Sequence, residues 1–131
     1  MNQKLYKLGI DIGSTTVKIA ILDEQDHLIF SDYERHFANI QETLSNLLHK
    51  AFDTTGEIMV SPMITGSGGL TLAKHLDIDF VQEVIAVSTA LTHYAPQTDV
   101  AIELGGEDAK IIYFENGNVE QRMNGICAGG T

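Results

Sequence analysis

Two stretches of this sequence place the same kinds of residue in the same order. Asp11-Ile12-Gly13-Ser14-Thr15-Thr16-Val17-Lys18 recurs as Glu103-Leu104-Gly105-Gly106-Glu107-Asp108-Ala109-Lys110. Each runs carboxylate, apolar residue, glycine, small residue, three variable residues, lysine. The chemistry suits a nucleotide. Gly13, Gly105 and Gly106 let backbone N–H groups approach phosphate oxygens with no Cβ in the way. Ser14, Thr15 and Thr16 add hydroxyl donors, and Lys18 and Lys110 complete the two candidate phosphate sites. A carboxylate such as Asp11 or Glu103 cannot bind phosphate directly. It can hold Mg²⁺ through water or orient an attacking water. The spacing matches neither a Walker A loop nor a GxGxxG fingerprint. One copy alone reads as an ordinary tight turn. Two copies, each opening a run of strands, read as one device used twice.

The elements that must position these residues are legible from periodicity. Tyr6, Leu8, Ile10 and Ile12 alternate with Lys7, Gly9 and Asp11, which predicts a strand. Val17–Leu22 and Leu28–Arg35 follow across short connections, giving an antiparallel meander. Ile40, Leu44, Leu47, Leu48, Ala51 and Phe52 share one helical face. Asn39 with Glu42 predicts a capping box, and Gly56 a stop. Ile58–Thr65 reads as a strand in which Pro62 marks an edge, a bulge or an irregular start. Thr65-Gly66-Ser67-Gly68-Gly69 reads as a flexible loop into a short helix, Leu70–Leu76, followed by a solvated turn at Asp77 and Asp79. A second long helix covers Gln82–Ala95, with Val84, Val87, Ser88, Leu91, Tyr94 and Ala95 on one face and Pro96 as its end. Strands Val100–Leu104, Lys110–Phe114 and Asn118–Met123 follow, with Asn116-Gly117 as a hairpin signal.

This order predicts an α/β fold. Residues 1–95 form one domain with a mixed five-stranded sheet, in which Ile58–Thr65 lies parallel to the first strand. The break near Pro96–Thr98 begins a second domain, 96–131, read as cut off after its opening meander.

With 44% hydrophobic and 20% charged residues, the chain is expected to fold rather than remain disordered. A net charge of −10 argues against nucleic-acid and anionic-membrane partners. No apolar run reaches the roughly 18 residues of a membrane helix. Lys4, Lys7 and Asp11 precede any long apolar stretch, so no signal peptide is expected and a cytoplasmic location is. The single cysteine, Cys127, excludes an internal disulfide and any metal site built from several cysteines of one chain. The histidines, His27, His36, His49, His75 and His93, lack metal-ligand spacing and read as surface or boundary residues.

Taken together, DIGSTTVK, ITGSGG, ELGGEDAK and NGICAGGT resemble the ATPase activators of 2-hydroxyacyl-CoA dehydratases and of benzoyl-CoA reductase. The resemblance implies the actin–sugar kinase–Hsp70 fold, in which two ribonuclease H-like domains close on ATP. It implies that Asp11–Lys18 and Glu103–Lys110 are the two phosphate loops, with Asp11 holding Mg²⁺-bound water and Glu103 positioning the nucleophilic water. It implies that Cys127 is one of two cysteines per subunit that ligate a [4Fe–4S] cluster in the parent protein, shared between the subunits of a homodimer or between tandem repeats. The implied partner is a dehydratase or reductase acting on a CoA thioester, which receives one electron. The 131-residue chain alone is expected to hold no cluster and to be inactive. The family usually has Asp-x-Gly-Gly-Gln-Asp at the second loop. Here Glu103 keeps the charge on a longer arm, and Glu107 adds a negative charge beside the phosphates. The competing functions are a non-redox sugar or acid kinase or a nucleotide-gated scaffold on the same fold, and a pure interaction module. The cysteine within CAGGT argues against the former and the repeated acidic-glycine loops against the latter.

Overall fold

The structure, a computed structural model, describes residues 4–97, 100–104, 109–115 and 118–124, with side chains described for 4–97 and at Val100. The chain divides into two compact units, Met1–Val81 and Gln82–Thr131. Among the described residues no helix is long and apolar enough to cross a membrane.

In the first unit, β1 (Leu5–Ile12), β2 (Thr16–Leu22) and β3 (Leu28–Arg35) form the expected meander, followed by α1 (Ile40–Thr55), β4 (Met59–Thr65), α2 (Gly69–Leu76) and β5 (Asp79–Phe80). The five strands lie in the order β3-β2-β1-β4-β5. β1 pairs antiparallel with β2 and parallel with β4, as the periodicity and the α1 crossover predict. The fifth strand is the two-residue β5, parallel to β4, where the sequence reads as a turn. β5 pairs only with Met63 and Ile64. At Pro62, therefore, β4 has β1 on one side and no described strand on the other, which is how a proline is accommodated here.

The alternation that predicts the strands also builds the core. Leu8, Ile10 and Ile12 of β1, Val17, Ile19 and Ile21 of β2, and Ile64 of β4 turn to one face. There they pack with Leu44, Leu47 and Ala51 of α1 and with Leu72 and Ala73 of α2. The residues between them, among them Lys7, Gly9, Asp11 and Lys18, lie on the opposite face.

Two helix ends differ in detail from the sequence reading. Asn39 is the N-cap of α1 but makes no side-chain capping hydrogen bond, so the capping box does not form. The first turn is held instead by the Asn39 carbonyl, which accepts from both the Thr43 N–H and the Thr43 hydroxyl. The stop at Gly56 holds: its N–H donates to the Phe52 carbonyl at φ +77°. Asp77 closes α2 in the left-handed region.

In the second unit, α3 (Glu83–Tyr94) ends just before Pro96. Ser88, on its expected apolar face, is buried and donates to the Val84 carbonyl. β6 (Val100–Leu104), β7 (Ala109–Glu115) and β8 (Asn118–Asn124) form an antiparallel three-stranded sheet in that order.

Candidate functional site

The two sequence copies are two copies of one hairpin. In the first, Asp11 pairs across the ladder with Lys18 and Ile12 with Val17. In the second, Glu103 pairs with Lys110 and Leu104 with Ala109. Acid and lysine therefore face each other at the same register position in both, and in the first hairpin the intervening residues 13–16 form the turn. The sheet pleat places paired residues on one face. Gly105, Gly106 and Cys127 lie outside the described residues. Glu103 and Lys110 are placed by backbone register alone.

The first turn can be followed atom by atom. The Gly13 N–H donates to the Thr16 carbonyl at 2.9 Å and closes the turn. Ser14 and Thr15 are exposed, Gly13 and Thr16 half-buried. Gly13 does not have positive φ, and a Cβ there would meet nothing closer than 3.6 Å. Its backbone does not need glycine. What the missing side chain provides is open space beside the turn, the condition for a bulky anion to approach.

β4 delivers a third component. In the parallel register Asp11 pairs with Thr65. Because Asp11 also pairs with Lys18, a row Lys18–Asp11–Thr65 crosses three adjacent strands on the face opposite the helices. Asp11 is half-buried and Lys18 exposed. The Thr65 hydroxyl oxygen is buried and has no hydrogen-bond partner in the structure, which makes it an available donor beside a carboxylate.

The loop after Thr65 clamps onto the end of β1. Gly66 has φ +100°, and a Cβ there would lie 2.2 Å from the Ile12 carbonyl oxygen and 2.6 Å from Asp11 Oδ1. Only glycine fits. The Gly68 N–H donates to the same Ile12 carbonyl at 2.9 Å. At Gly69 a Cβ would meet the Ile64 side chain at 2.6 Å, so α2 starts hard against β4. The stretch is the strand-to-helix turn that leads into α2, packed against β1 and β4 rather than flexible.

The sequence reading missed His36. Expected at the surface or boundary, it is buried, whereas His27, His49, His75 and His93 are exposed as expected. Its Nε2 lies 3.0 Å from the Gly13 carbonyl oxygen, and its Nδ1 accepts the Ala38 N–H at 3.0 Å. Its own N–H donates to the Thr15 carbonyl at 3.0 Å. Its only sequence signal is its position directly after a strand that pairs with the turn's own strand.

Asp11, Gly13–Thr16, Thr65–Gly69 and His36 thus meet at one end of the first sheet. The donor set fits a magnesium-bound polyphosphate: one carboxylate for Mg²⁺-bound water, three hydroxyls on the turn and one unpartnered hydroxyl beside the carboxylate. Among the described residues no group of three or more His, Cys, Asp or Glu could hold a metal ion. The single cysteine of the chain can supply one of the four thiolates that a [4Fe–4S] cluster takes. The open groove of about 400 Å³ between α1 and α2, lined by Leu44, Leu48, Phe52 and Leu72, lies on the helical side and holds none of these residues.

Known proteins share both sequence and fold. The (R)-2-hydroxyglutaryl-CoA dehydratase activating ATPase of Acidaminococcus fermentans is 30% identical over 135 residues, covering 97% of this chain and 50% of that protein. The 2-hydroxyisocaproyl-CoA dehydratase activator of Clostridioides difficile is 29% identical over 133 residues, covering 97% and 48%. The crystal structure of component A of the Acidaminococcus fermentans (R)-2-hydroxyglutaryl-CoA dehydratase superposes with a TM-score of 0.77 at 26% identity, over 95% of this chain and 49% of that one. The chain spans about half the length of these relatives. Its fold is the α/β, ribonuclease H-like fold of actin-like ATPases, with the expected mixed five-stranded sheet. The sequence model of the BadF/BadG/BcrA/BcrD ATPase family matches residues 8–131, nearly the whole chain, and the chain belongs to that family.

Proposed function

We propose that the protein carrying this chain hydrolyses ATP and uses the cycle to activate an enzyme that dehydrates or reduces a CoA thioester. The observation that carries the reading is the duplicated hairpin, with acid opposite lysine at one register in both units. Relatives that match nearly the whole chain are named as dehydratase activators. In this reading Asp11–Lys18 and Glu103–Lys110 grip the phosphates of one nucleotide. The Ser14 and Thr16 amides and the turn hydroxyls donate to phosphate oxygens, Asp11 holds Mg²⁺-bound water, Thr65 donates beside it, and Glu103 positions the attacking water. Bound Mg²⁺ would neutralise charge on the phosphates. In this reading residues 1–95 make the first domain and 96–131 open the second, although α3 lies in the second compact unit. Closure of the two on ATP links hydrolysis to the partner enzyme.

The proposal extends to electron transfer. A [4Fe–4S] cluster held between subunits or tandem repeats would supply one electron to the partner, and Cys127 would be one of its cysteine ligands. The competing reading, a non-redox kinase or nucleotide-gated scaffold on this fold, has no use for the cysteine within CAGGT. One preparation separates them. The intact protein, purified without oxygen, is assayed for Mg²⁺-dependent ATP hydrolysis, for iron and acid-labile sulfide, and for ATP-dependent activation of a 2-hydroxyacyl-CoA dehydratase. Hydrolysis with a brown, iron-containing protein supports the activator. Hydrolysis or phosphotransfer by a colourless, iron-free protein supports the competitor.

A further inference from the structure

We infer that His36 is a positioning residue for the first phosphate loop: its ring and its own N–H hold two loop carbonyls on one side, so that the Ser14 and Thr16 amides face the other. The inference rests on the nucleotide reading above. Its geometry comes from four contacts. His36 Nε2 meets the Gly13 carbonyl and the His36 N–H meets the Thr15 carbonyl, each at 3.0 Å. In a trans peptide the C=O and the following N–H point in opposite directions, and the described chain has no cis peptide bonds. A Gly13 carbonyl turned to His36 therefore turns the Ser14 N–H away from it, and a Thr15 carbonyl turned to His36 does the same for the Thr16 N–H. An anion is repelled by carbonyl oxygens and attracted by amides, so this sorting makes the turn a phosphate cradle rather than a mixed-polarity loop.

The third contact fixes the ring. Nδ1 accepts the Ala38 N–H, so the proton sits on Nε2, where it is donated to Gly13. Reaching that arrangement takes an unusual backbone. Phe37 and Ala38 are both non-glycine residues with positive φ, +46° and +67°. Such conformations are unfavourable for L-residues and persist where surrounding contacts enforce them. Here they carry the Ala38 N–H back onto the ring, and the Asn39 N–H donates to the His36 carbonyl at 2.7 Å. His36 is buried while Phe37 beside it is exposed, so this strained turn places its polar residue inside and its aromatic one outside, the reverse of the usual preference.

The test compares His36→Phe, which keeps the ring but removes both nitrogens, with His36→Gln, whose amide nitrogen reaches the Nε2 position. Both are made in the intact protein. Mg-ATP affinity is measured by calorimetry, and backbone hydrogen exchange of Ser14 and Thr16 with and without Mg-ATP by NMR or mass spectrometry. Loss of one such hydrogen bond predicts about tenfold weaker binding for His36→Phe. Nucleotide-induced protection of Ser14 and Thr16 disappears while that of Ile19 and Ile21 is kept. His36→Gln recovers affinity to within about threefold, the residual difference reflecting its imperfect reach. Wild-type affinity in His36→Phe, no recovery in His36→Gln, or loss of protection across the whole sheet would each overturn the role and leave the nucleotide reading standing. No Mg-ATP binding by the wild-type protein would remove both.

Discussion

Asp11 and Thr65 stand side by side on adjacent parallel strands, and their chemistry is separable by substitution. Asp11→Asn keeps the size and removes the charge. In the intact protein it is expected to lower Mg-dependent ATP hydrolysis by about a hundredfold or more, the scale of losing a positioned acid–base or metal-holding group. A steady-state phosphate-release assay at saturating ATP checks it, and a rate within threefold of wild type would remove Asp11 from the site. Two glycines make a paired test of packing. Gly66→Ala must place a methyl 2.2 Å from the Ile12 carbonyl oxygen at φ +100°. The left-handed conformation and the clash together predict about 3 kcal/mol of lost stability or more. Gly56 also has positive φ, but nothing lies within 4 Å of its Cβ position. Gly56→Ala should therefore cost only the conformational part, about 1–2 kcal/mol. Urea melts of the three proteins compare them, and equal losses would refute the close approach at Gly66.

At the scale of elements, two turns show how short polar residues organise this sheet. The hairpin between β2 and β3 is tied by Asp23, whose Oδ1 accepts the N–H groups of Gln25 and His27 at 2.9 Å each. The His27 backbone N–H is the largest influence holding the Asp23 carboxyl below its ordinary range; the Gln25 N–H and the His27 side chain add to it, partly offset by desolvation. The sign follows directly. A carboxyl depressed in the folded state stabilises the hairpin at pH values above its unfolded pKa. That stability is lost as pH falls through the depressed folded value. A carbon-detected titration should find Asp23 protonating below free aspartate, and Asp23→Asn should flatten the acid limb of the hairpin's stability. A titration at or above the free value would contradict the two hydrogen bonds. The start of α1 makes the opposite case. Asn39 caps the helix by position but not through its side chain. Asn39→Ala should therefore cost less than about 0.5 kcal/mol, below the usual loss for a working N-cap, and a loss above about 1 kcal/mol in a urea melt would mean the cap forms in solution.

For the whole molecule, the chain matches about half of each relative. In the actin-like reading ATP is gripped from two sides and hydrolysed when the domains close. The 131-residue chain is therefore expected to hydrolyse ATP at the background rate, because phosphoryl transfer depends on positioning that one hairpin pair without its closing domain does not supply. A Mg-ATPase assay on this chain beside its Asp11→Asn variant checks it, and robust turnover that the substitution abolishes would show that the second half is dispensable.

Periodicity and spacing already determine much of this protein. The alternation in β1, the apolar runs of β2 to β4, the helical spacing in α1 and the paired acid–glycine–lysine hairpins are all local patterns, carried by neighbours a few residues apart. Asp11, Gly13–Thr16 and the whole first hairpin could be read from them. Tertiary structure alone decided what sits against that hairpin. The parallel register that sets Thr65 beside Asp11 follows from how α1 packs across the sheet, and no local spacing records it. The packing of Gly66 on Ile12 and the contact of Phe80 with Gly69 depend on the same register, so β5 reads as a turn until β4 is in place. His36 is the clearest case. As a sequence letter it is one of five histidines without a motif. It becomes part of the site only because β3 ends beside the β1–β2 turn and the positive φ angles of Phe37 and Ala38 fold the chain back over its ring.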